Sequence, residues 1–444
     1  MSRDTATITT SHRGTSMLIV RLFSPLDFLQ TDTSDLQLGP PGKPHLQGPA
    51  CFSHDLVHIF CRSVPSQYAA IQRALALLGA PDRDKPIILM TESLNFGALP
   101  LTLGAPGLKP TAFIAIGLNP ILLTSKDHPP FGSGMLPDNS PEGRERNTAA
   151  NQIQQTVTFA KAQEEFLAAL SAVGVPAKNL SKVPFLLDSL YSLPDRFVQM
   201  CTPNVEYPRS DAPKTLRLAG GYPGQNSSTK NNWIKPDWWE DQIITNSDKK
   251  KVIFVCQGTV AMDFNQLVLP SIAMLDHPGL FSSDQKILLV ISLGRPGMSL
   301  PLEGPSSLPN NCFVESYIPY DEILPHVDVF ITTGGYGSFQ RALLHGTPLI
   351  MAGMTEEKPE SAARAEWAGV AVNLRTGYPS VEMLLDAVKE VLGNHSDGSR
   401  SRYKRRAVEI REEILRGGDP VEVVVECLEE LAAAAAGKTA GEGV

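Results

Sequence analysis

Three short segments in the second half of the chain carry residues suited to holding an anion. They are Gln257-Gly258-Thr259, Thr332-Thr333-Gly334-Gly335-Tyr336-Gly337-Ser338 and Gly353-Met354-Thr355-Glu356-Glu357-Lys358. Each follows an apolar run of strand length. Glycines let backbone N–H groups approach a ligand closely, and a helix opening just after such a loop turns its positive end toward the bound charge. A phosphate can be held in this way without any lysine. Glycines needed only for tight turns would give the same string, so the loops alone leave both readings open.

The elements that must position these loops show as an alternation. Residues 252–256, 287–291, 312–316, 327–332, 348–351 and 370–374 are short apolar runs, as expected for buried parallel strands. Helical spacing marks 264–275, 321–324, 338–344, 359–368 and 381–391. Such alternation implies a right-handed parallel sheet covered on both faces, with ligands outside the carboxyl ends of its strands. Helices over 402–415 and 420–436 flank Gly417-Gly418, with Asp419 as cap and Pro420 in the first turn.

The first half is less regular. Helices are expected over 55–78 and 149–173, and strands over 86–90, 112–116, 185–187, 197–201 and 215–219. A Pro/Gly-rich loop spans 124–143. The Gly-, Asn- and Ser-rich stretch from Gly220, followed by the Trp-rich 233–239, marks the best boundary. The chain therefore divides into a disordered tail (1–16), a first domain (17–222), a linker (223–250), a second domain (251–418) and a final helix with tail (419–444).

Composition narrows the function classes. The 444 residues are 42% hydrophobic and 19% charged with 36 prolines, a globular chain of about two domains rather than a coiled coil or a disordered segment. The net charge of −8 has the wrong sign for a general nucleic-acid binder. The six cysteines are scattered with no CxxC spacing, which indicates neither a disulfide framework nor a zinc site. No apolar run approaches the roughly 18 residues that span a bilayer. These features read as a reduced, soluble, cytoplasmic protein without stable membrane insertion.

The loops keep a fixed order with Tyr317-Ile318-Pro319-Tyr320, Ala342-Leu343-Leu344-His345-Gly346-Thr347-Pro348-Leu349 and Glu357-Lys358-Pro359-Glu360-Ser361-Ala362-Ala363-Arg364. From about Val252 to the end, this resembles the nucleotide-sugar signature of the UDP-glycosyltransferase class with the GT-B fold. The first half resembles the class only loosely, around 85–117 and 207–224. The resemblance implies an α/β protein with two Rossmann-like domains facing across a cleft. It places Tyr317 where an aromatic ring stacks on uracil, and Ile318 where the backbone meets the base. Gly335, Gly337 and Ser338 fall where amides and a hydroxyl hold the diphosphate, with Gly258 and Thr259 opposite. Glu357 and Lys358 replace the usual Asp-Gln pair on the sugar hydroxyls; a capping pair for the helix opening at Pro359 is the other reading. The class also implies that the final helix crosses back to the first domain, for which Val421, Val424, Val425, Leu428 and Leu431 form an apolar stripe.

Departures from the class bear on chemistry. Thr333 stands where many members have a histidine on the diphosphate, and Arg341 stands in place of the ribose-binding Glu. Arg cannot accept a hydrogen bond, so ribose recognition must differ there or draw on Gln340. No Gly-His dipeptide precedes the linker, so the first domain is expected to be incomplete, without its opening strand–helix unit and the histidine base it carries. His54 and His58 read as surface or capping residues. Glu92, after the strand 86–90, and Asp127, read as an exposed carboxylate in the Pro/Gly loop, are the remaining weak candidates for general-base chemistry. The expected function is an inverting transfer of a hexose from a UDP-sugar co-substrate to a small lipophilic acceptor, without metal or other cofactor. The alternative is a catalytically inactive nucleotide-sugar-binding relative. A nicotinamide dehydrogenase is disfavoured because no strand leads into GxGxxG with an acid about 20 residues later.

Overall fold

Threonine- and β-branched-rich sequence makes Ala6–His12 (β1) and Thr15–Arg21 (β2) an antiparallel pair, with Ala6 opposite Arg21 and His12 opposite Thr15. The reading of residues 1–16 as a disordered tail is corrected over that first strand. The structure, a computed structural model, describes residues 6–12, 15–21, 48–78, 86–222, 233–259, 263–278, 286–300, 308–393 and 401–441.

In the first half, β3 (Ile88–Glu92), β4 (Ala112–Gly117), β5 (Arg196–Gln199) and β6 (Leu216–Leu218) form a four-stranded parallel sheet in that order. One face is covered by helices that bury Phe96, Phe159, Phe166 and Leu187 against Phe197. These include α1 (Gly48–Asp55), a π-helical turn over Leu56–Cys61, α2 (Arg62–Leu77), α3 (Pro141–Ile153), α4 (Ala160–Ala172) and α5 (Leu186–Ser192). Two helices open at prolines, one earlier than the helix expected from 55 and one within the loop expected over 124–143. Pro49 sits in the first turn of α1, and Pro141 opens α3 behind Ser140, whose hydroxyl accepts from Gly143 N at 3.0 Å. The run 185–187 is not a strand. Leu186, Leu187, Leu190 and Tyr191 bury one face of α5, and the i, i+3, i+4 spacing decides for helix.

The second half builds a six-stranded parallel sheet from β7 (Lys251–Cys256), β8 (Ile287–Ser292), β9 (Cys312–Glu315), β10 (Val329–Thr332), β11 (Leu349–Met351) and β12 (Ala371–Asn373). Its order is β12-β11-β10-β7-β8-β9. The chain thus runs outward from β7 to one edge, returns to β10 beside β7 and continues to the other edge. Helices α6 (Val268–Met274), α7 (Tyr320–Ile323), α8 (Tyr336–His345), α9 (Lys358–Trp367), α10 (Val381–Leu392) and α11 (Arg402–Arg416) connect and cover the strands. Residues 223–232 of the expected linker lie outside the described residues. Its later part is packed: Trp239 and Ile243 are buried with Val252 and Phe254 in the second core.

The final helix, Pro420–Gly441, leaves the second domain behind Asp419, whose Oδ1 accepts from Val421 N at 2.9 Å. It lies on the open face of the first sheet, where Cys427, Leu428, Leu431 and Ala432 bury Ile88, Ile114 and Val198. The apolar face is rotated from the stripe expected, because Val421 is 43% exposed and Cys427 takes part instead. No described helix is long and apolar enough to cross a membrane.

Candidate functional site

The reversal of strand order between β7 and β10 opens a crevice at their carboxyl ends, the position where open α/β sheets bind ligands. The first two glycine-bearing loops leave those two strands. They are tied together across the crevice by the Thr333 hydroxyl, which donates to Gln257 O at 2.9 Å. Thr333 is buried, so its hydroxyl proton locks the loops and is not a free donor for a diphosphate.

The glycines separate into two kinds. Gly334 has φ +91°, and a Cβ there would lie 2.9 Å from Met351 Cε; a Cβ on Gly353 would lie 2.0 Å from Thr333 O. Packing and backbone conformation require those two. At Gly335 a Cβ would meet nothing closer than Ser338 Oγ at 3.9 Å, and at Gly337 nothing within 4 Å. Neither has a left-handed backbone, so neither packing nor conformation asks for glycine there. Both lie in or just before the first turn of α8, whose N-cap residue, Gly335, has no side chain to cap it. A helix N-terminus with cleared space in front of it suits a phosphate. Gly258, with φ +85° and open space at its Cβ position, faces the crevice from the β7 loop, and Thr259 beside it is exposed. The Ser338 hydroxyl donates to Gly335 O at 2.7 Å and must rotate to serve a phosphate oxygen.

At the β9 side Tyr317 is 37% exposed, leaving a ring face for stacking. Its carbonyl is held by Trp233 Nε1 at 3.1 Å. Ile318 is buried and its N–H donates to Ser292 Oγ at 3.1 Å, so a base must be met through the carbonyl or displace that hydroxyl. Arg341 Nη1 pairs with Asp321 Oδ2 at 3.5 Å while His345 Nε2 contacts Asp321 Oδ1 at 2.8 Å. Gln340 is buried at 1% exposure and is not presented at the surface of the site.

In the third loop Glu357 does not cap α9 with its side chain. Its Oε1 instead reaches back to Tyr336 N at 3.4 Å, at the N-terminus of α8. Lys358 Nζ contacts Glu356 Oε2 and Thr355 Oγ1 in its own loop. Glu356 takes a left-handed backbone at φ +50°, an unfavourable state for a residue with a side chain, next to this ion pair.

The first domain supplies the opposite wall. Glu92 ends β3, accepts from Ser93 Oγ at 3.2 Å and lies within electrostatic reach of Tyr222. Burial raises the Tyr222 phenol far above its ordinary value, and Glu357 and Glu92 push it further in the same direction. Tyr222 thus feels a carboxylate of each domain, and its hydroxyl donates to Leu118 O at 2.8 Å. Asp127 is a correction: it is 3% exposed, with Oδ1 held by Arg144 Nε at 2.8 Å and Oδ2 by Ser210 N at 2.5 Å. Burial would raise its pKa, but the Ser210 and Arg144 hydrogen bonds outweigh it and bring it to about 2. A carboxylate so engaged has no proton affinity for an acceptor hydroxyl. Its ordinary pKa is about 3.9, so its stabilising effect is complete above that value and disappears as pH falls toward about 2. Asp127→Asn should keep sugar transfer while lowering the urea midpoint at pH 7, with the gap to wild type closing toward pH 2. An equal gap at both pH values would contradict this assignment.

His54 on α1 and His58 in the π-helical turn that follows have rings 4.2 Å apart and are both exposed. His128 is buried, and burial lowers its pKa to about 3, so it is a poor base near neutral pH. Sequence reasoning missed Trp233, Ser292, Tyr222 and Tyr336 as site-forming residues. Only the tryptophan cluster and the tyrosine inside the glycine loop gave any signal. Tyr336 is buried, and its hydroxyl accepts from Gln199 Nε2 of the first domain at 3.2 Å.

Comparison with known proteins agrees with this architecture. Residues 296–431 match the family described as "Erythromycin biosynthesis protein CIII-like, C-terminal domain". The chain is 36% identical over 401 residues to UDP-glycosyltransferase 2 of Phaeomoniella chlamydospora, covering 89% of this chain and 80% of that protein. It is 35% identical over 379 residues to UDP-glucosyltransferase A1 of Starmerella bombicola, covering 85% and 74%. Among solved structures, the glycotransferase of kitacinnamycin superposes with a TM-score of 0.59 at 20% identity, covering 86% of this chain and 83% of that one. The UDP complex of UDP-glucose: anthocyanidin 3-O-glucosyltransferase gives 0.56 at 14% identity, covering 90% and 84%. Two parallel sheets, a crevice at the strand reversal of the second and relatives of this likeness lead to one conclusion: the chain belongs to the UDP-glycosyltransferase family and has the GT-B fold.

Proposed function

We propose that the protein transfers glucose from UDP-glucose to a hydroxyl group of a small lipophilic acceptor, with inversion at the anomeric carbon. The observation that carries this reading is the pair Gly335 and Gly337, which clear space in front of the α8 N-terminus without any packing reason. In this reading the uracil stacks on Tyr317, and the diphosphate takes the amides of Gly335 and Gly337, the Ser338 hydroxyl and the Gly258-Thr259 loop. Glu357 accepts from sugar hydroxyls, with Lys358 beside it. The acceptor oxygen forms a bond to the anomeric carbon as the bond from that carbon to the UDP oxygen breaks. The electron pair leaves on UDP, where helix-end amides stabilise the charge, and the acceptor proton passes to a base. Exposed Leu118 after β4, Met354 in the third loop and Met135 near the seam between domains favour an apolar acceptor. The cysteines, all unpaired among the described residues, fit a reducing, cytoplasmic compartment.

Glu92 is the base candidate, since it lies at the carboxyl end of β3 in the first sheet and acts electrostatically on the same tyrosine, Tyr222, as Glu357. Glu92→Gln should lower kcat by about 10²–10⁴-fold with UDP affinity unchanged; unaltered kcat would remove Glu92 from the chemistry. Mass spectrometry of products from UDP-glucose and a panel of lipophilic alcohols tests the whole reading. Addition of a hexose supports it, and an anomeric configuration opposite to the donor's supports inversion. The second reading, a donor-binding relative without turnover, is favoured by the lack of a histidine at the first sheet's strand ends among the described residues. It predicts UDP binding with no product from any acceptor.

A further inference from the structure

The two domains meet through a buried ionic cluster. Arg364, on α9, donates through Nε to the two carboxylate oxygens of Glu206 in the first domain at 3.0 and 2.9 Å. Its Nη1 donates to Glu360 Oε2 at 2.7 Å and its Nη2 to Ile121 O at 3.3 Å. Arg209 holds Glu206 Oε1 from the other side at 3.0 Å. The guanidinium also lies 4.4 Å from the centre of the Tyr207 ring. Glu360 completes the connection, its Oε1 accepting from Gly132 N at 2.8 Å and Gly134 N at 3.0 Å. None of the four charged side chains is more than 5% exposed. Two cations and two carboxylates balance, so no charge is left buried alone.

Stability alone is a weak account of such a cluster, because apolar residues of similar volume commonly do as well. What the cluster does provide is directional geometry. The planar guanidinium reaches three groups of the first domain and Glu360 in fixed directions, which a lysine cannot reproduce. Glu360 is one turn along α9 from Glu357, and Gly134 packs against Pro359 at the same end of the helix. The loop that Glu360 grips also carries exposed Met135.

We propose that Arg364 is a positioning residue that fixes the first turn of α9, and Glu357 with it, against the acceptor-side loops of the first domain. This rests on the donor-site reading given above. Nucleotide contacts lie within the second domain and do not need the cluster; alignment of the donor sugar with the acceptor hydroxyl does. Small misplacements of reacting groups cost rate steeply and let water compete for the anomeric carbon.

The test compares wild type, Arg364→Lys and Glu360→Gln by UDP calorimetry and by parallel measurement of sugar transfer and UDP-glucose hydrolysis. Arg364→Lys should bind UDP within about twofold of wild type, while kcat for transfer falls about tenfold or more and the ratio of hydrolysis to transfer rises. Glu360→Gln keeps an oxygen for the two glycine amides and should shift both readings less, in the same direction. If Arg364→Lys does not fold, Glu360→Gln decides. Transfer and hydrolysis falling in equal proportion would mark a merely structural role and overturn the proposal, as would unchanged transfer. Wild type that binds no UDP would overturn the donor-site reading itself, before any variant is compared.

Discussion

Gly335→Phe should abolish UDP binding while leaving the protein folded. The backbone at Gly335 is one any residue adopts, and a Cβ there sits 3.9 Å from Ser338 Oγ and 4.0 Å from Glu357 Oε1. The first atom of a side chain is therefore accommodated, and the ring must extend into the space in front of the α8 N-terminus. That is the space assigned to the diphosphate. With the amides shielded and the volume filled, the charge-assisted contacts are lost together, each worth about 1.5–3 kcal/mol. Calorimetry should show UDP affinity weakened by a factor of at least about 100, since 1.4 kcal/mol is tenfold. The thermal midpoint should stay near that of wild type. Unchanged affinity would remove the diphosphate from this loop. Gly334→Phe is the contrast, because its φ of +91° strains any side-chain-bearing residue and should disturb the loop's own backbone.

Ending the chain at Gly418 should loosen the two halves while sparing the second core. The final helix buries Cys427, Leu428 and Leu431 against Ile88, Ile114 and Val198. A fully buried leucine contributes about 1.5–3 kcal/mol, so Leu428 and Leu431 together contribute several kcal/mol, an upper value because the unfolded chain is not fully extended. The ion pairs of Glu430 with Arg196 and Arg217 are half-exposed and add little. Removal uncovers the apolar face of the first sheet, whereas α11 keeps Ala407, Ile410 and Ile414 in the second core. Trypsin should then cut at Lys230, between the domains, faster than in the full chain. Equal cleavage rates would mean that the helix does not hold the domains together.

Much of the second half is legible in the sequence because its strands are buried on both faces. The unbroken apolar runs of β7 and β8 leave little choice, and the glycine loops follow them directly. Helix–strand ambiguity defeats the same approach at 185–187, where three apolar residues fit either period until Leu190 and Tyr191 are counted with them. Proline at Pro49 and Pro141 reads as loop yet suits a helix's first turn.

The site was legible as a set of loops but not in its internal roles. Nothing local distinguishes Gly335, which faces open space, from Gly334, whose left-handed backbone demands glycine. The sequence presents Asp127 as exposed because its partners Arg144 and Ser210 lie 17 and 83 residues away. Thr333 reads as a diphosphate contact in the sequence, whereas its hydroxyl locks the loop to Gln257, 76 residues earlier. The cluster around Arg364 joins residues 158 apart, beyond any pattern that periodicity or spacing supplies.

Hydrogen exchange of the wild-type protein with and without UDP tests the central claim most directly. The claim is that backbone amides at the strand reversal between β7 and β10 hold the diphosphate. It predicts slowed exchange in peptides covering Gly335 to Ser338 and Gly258 to Thr259, with the first sheet's strand ends unaffected by UDP alone. Protection confined to the first domain, or UDP binding with no change at Gly335 to Ser338, would contradict it.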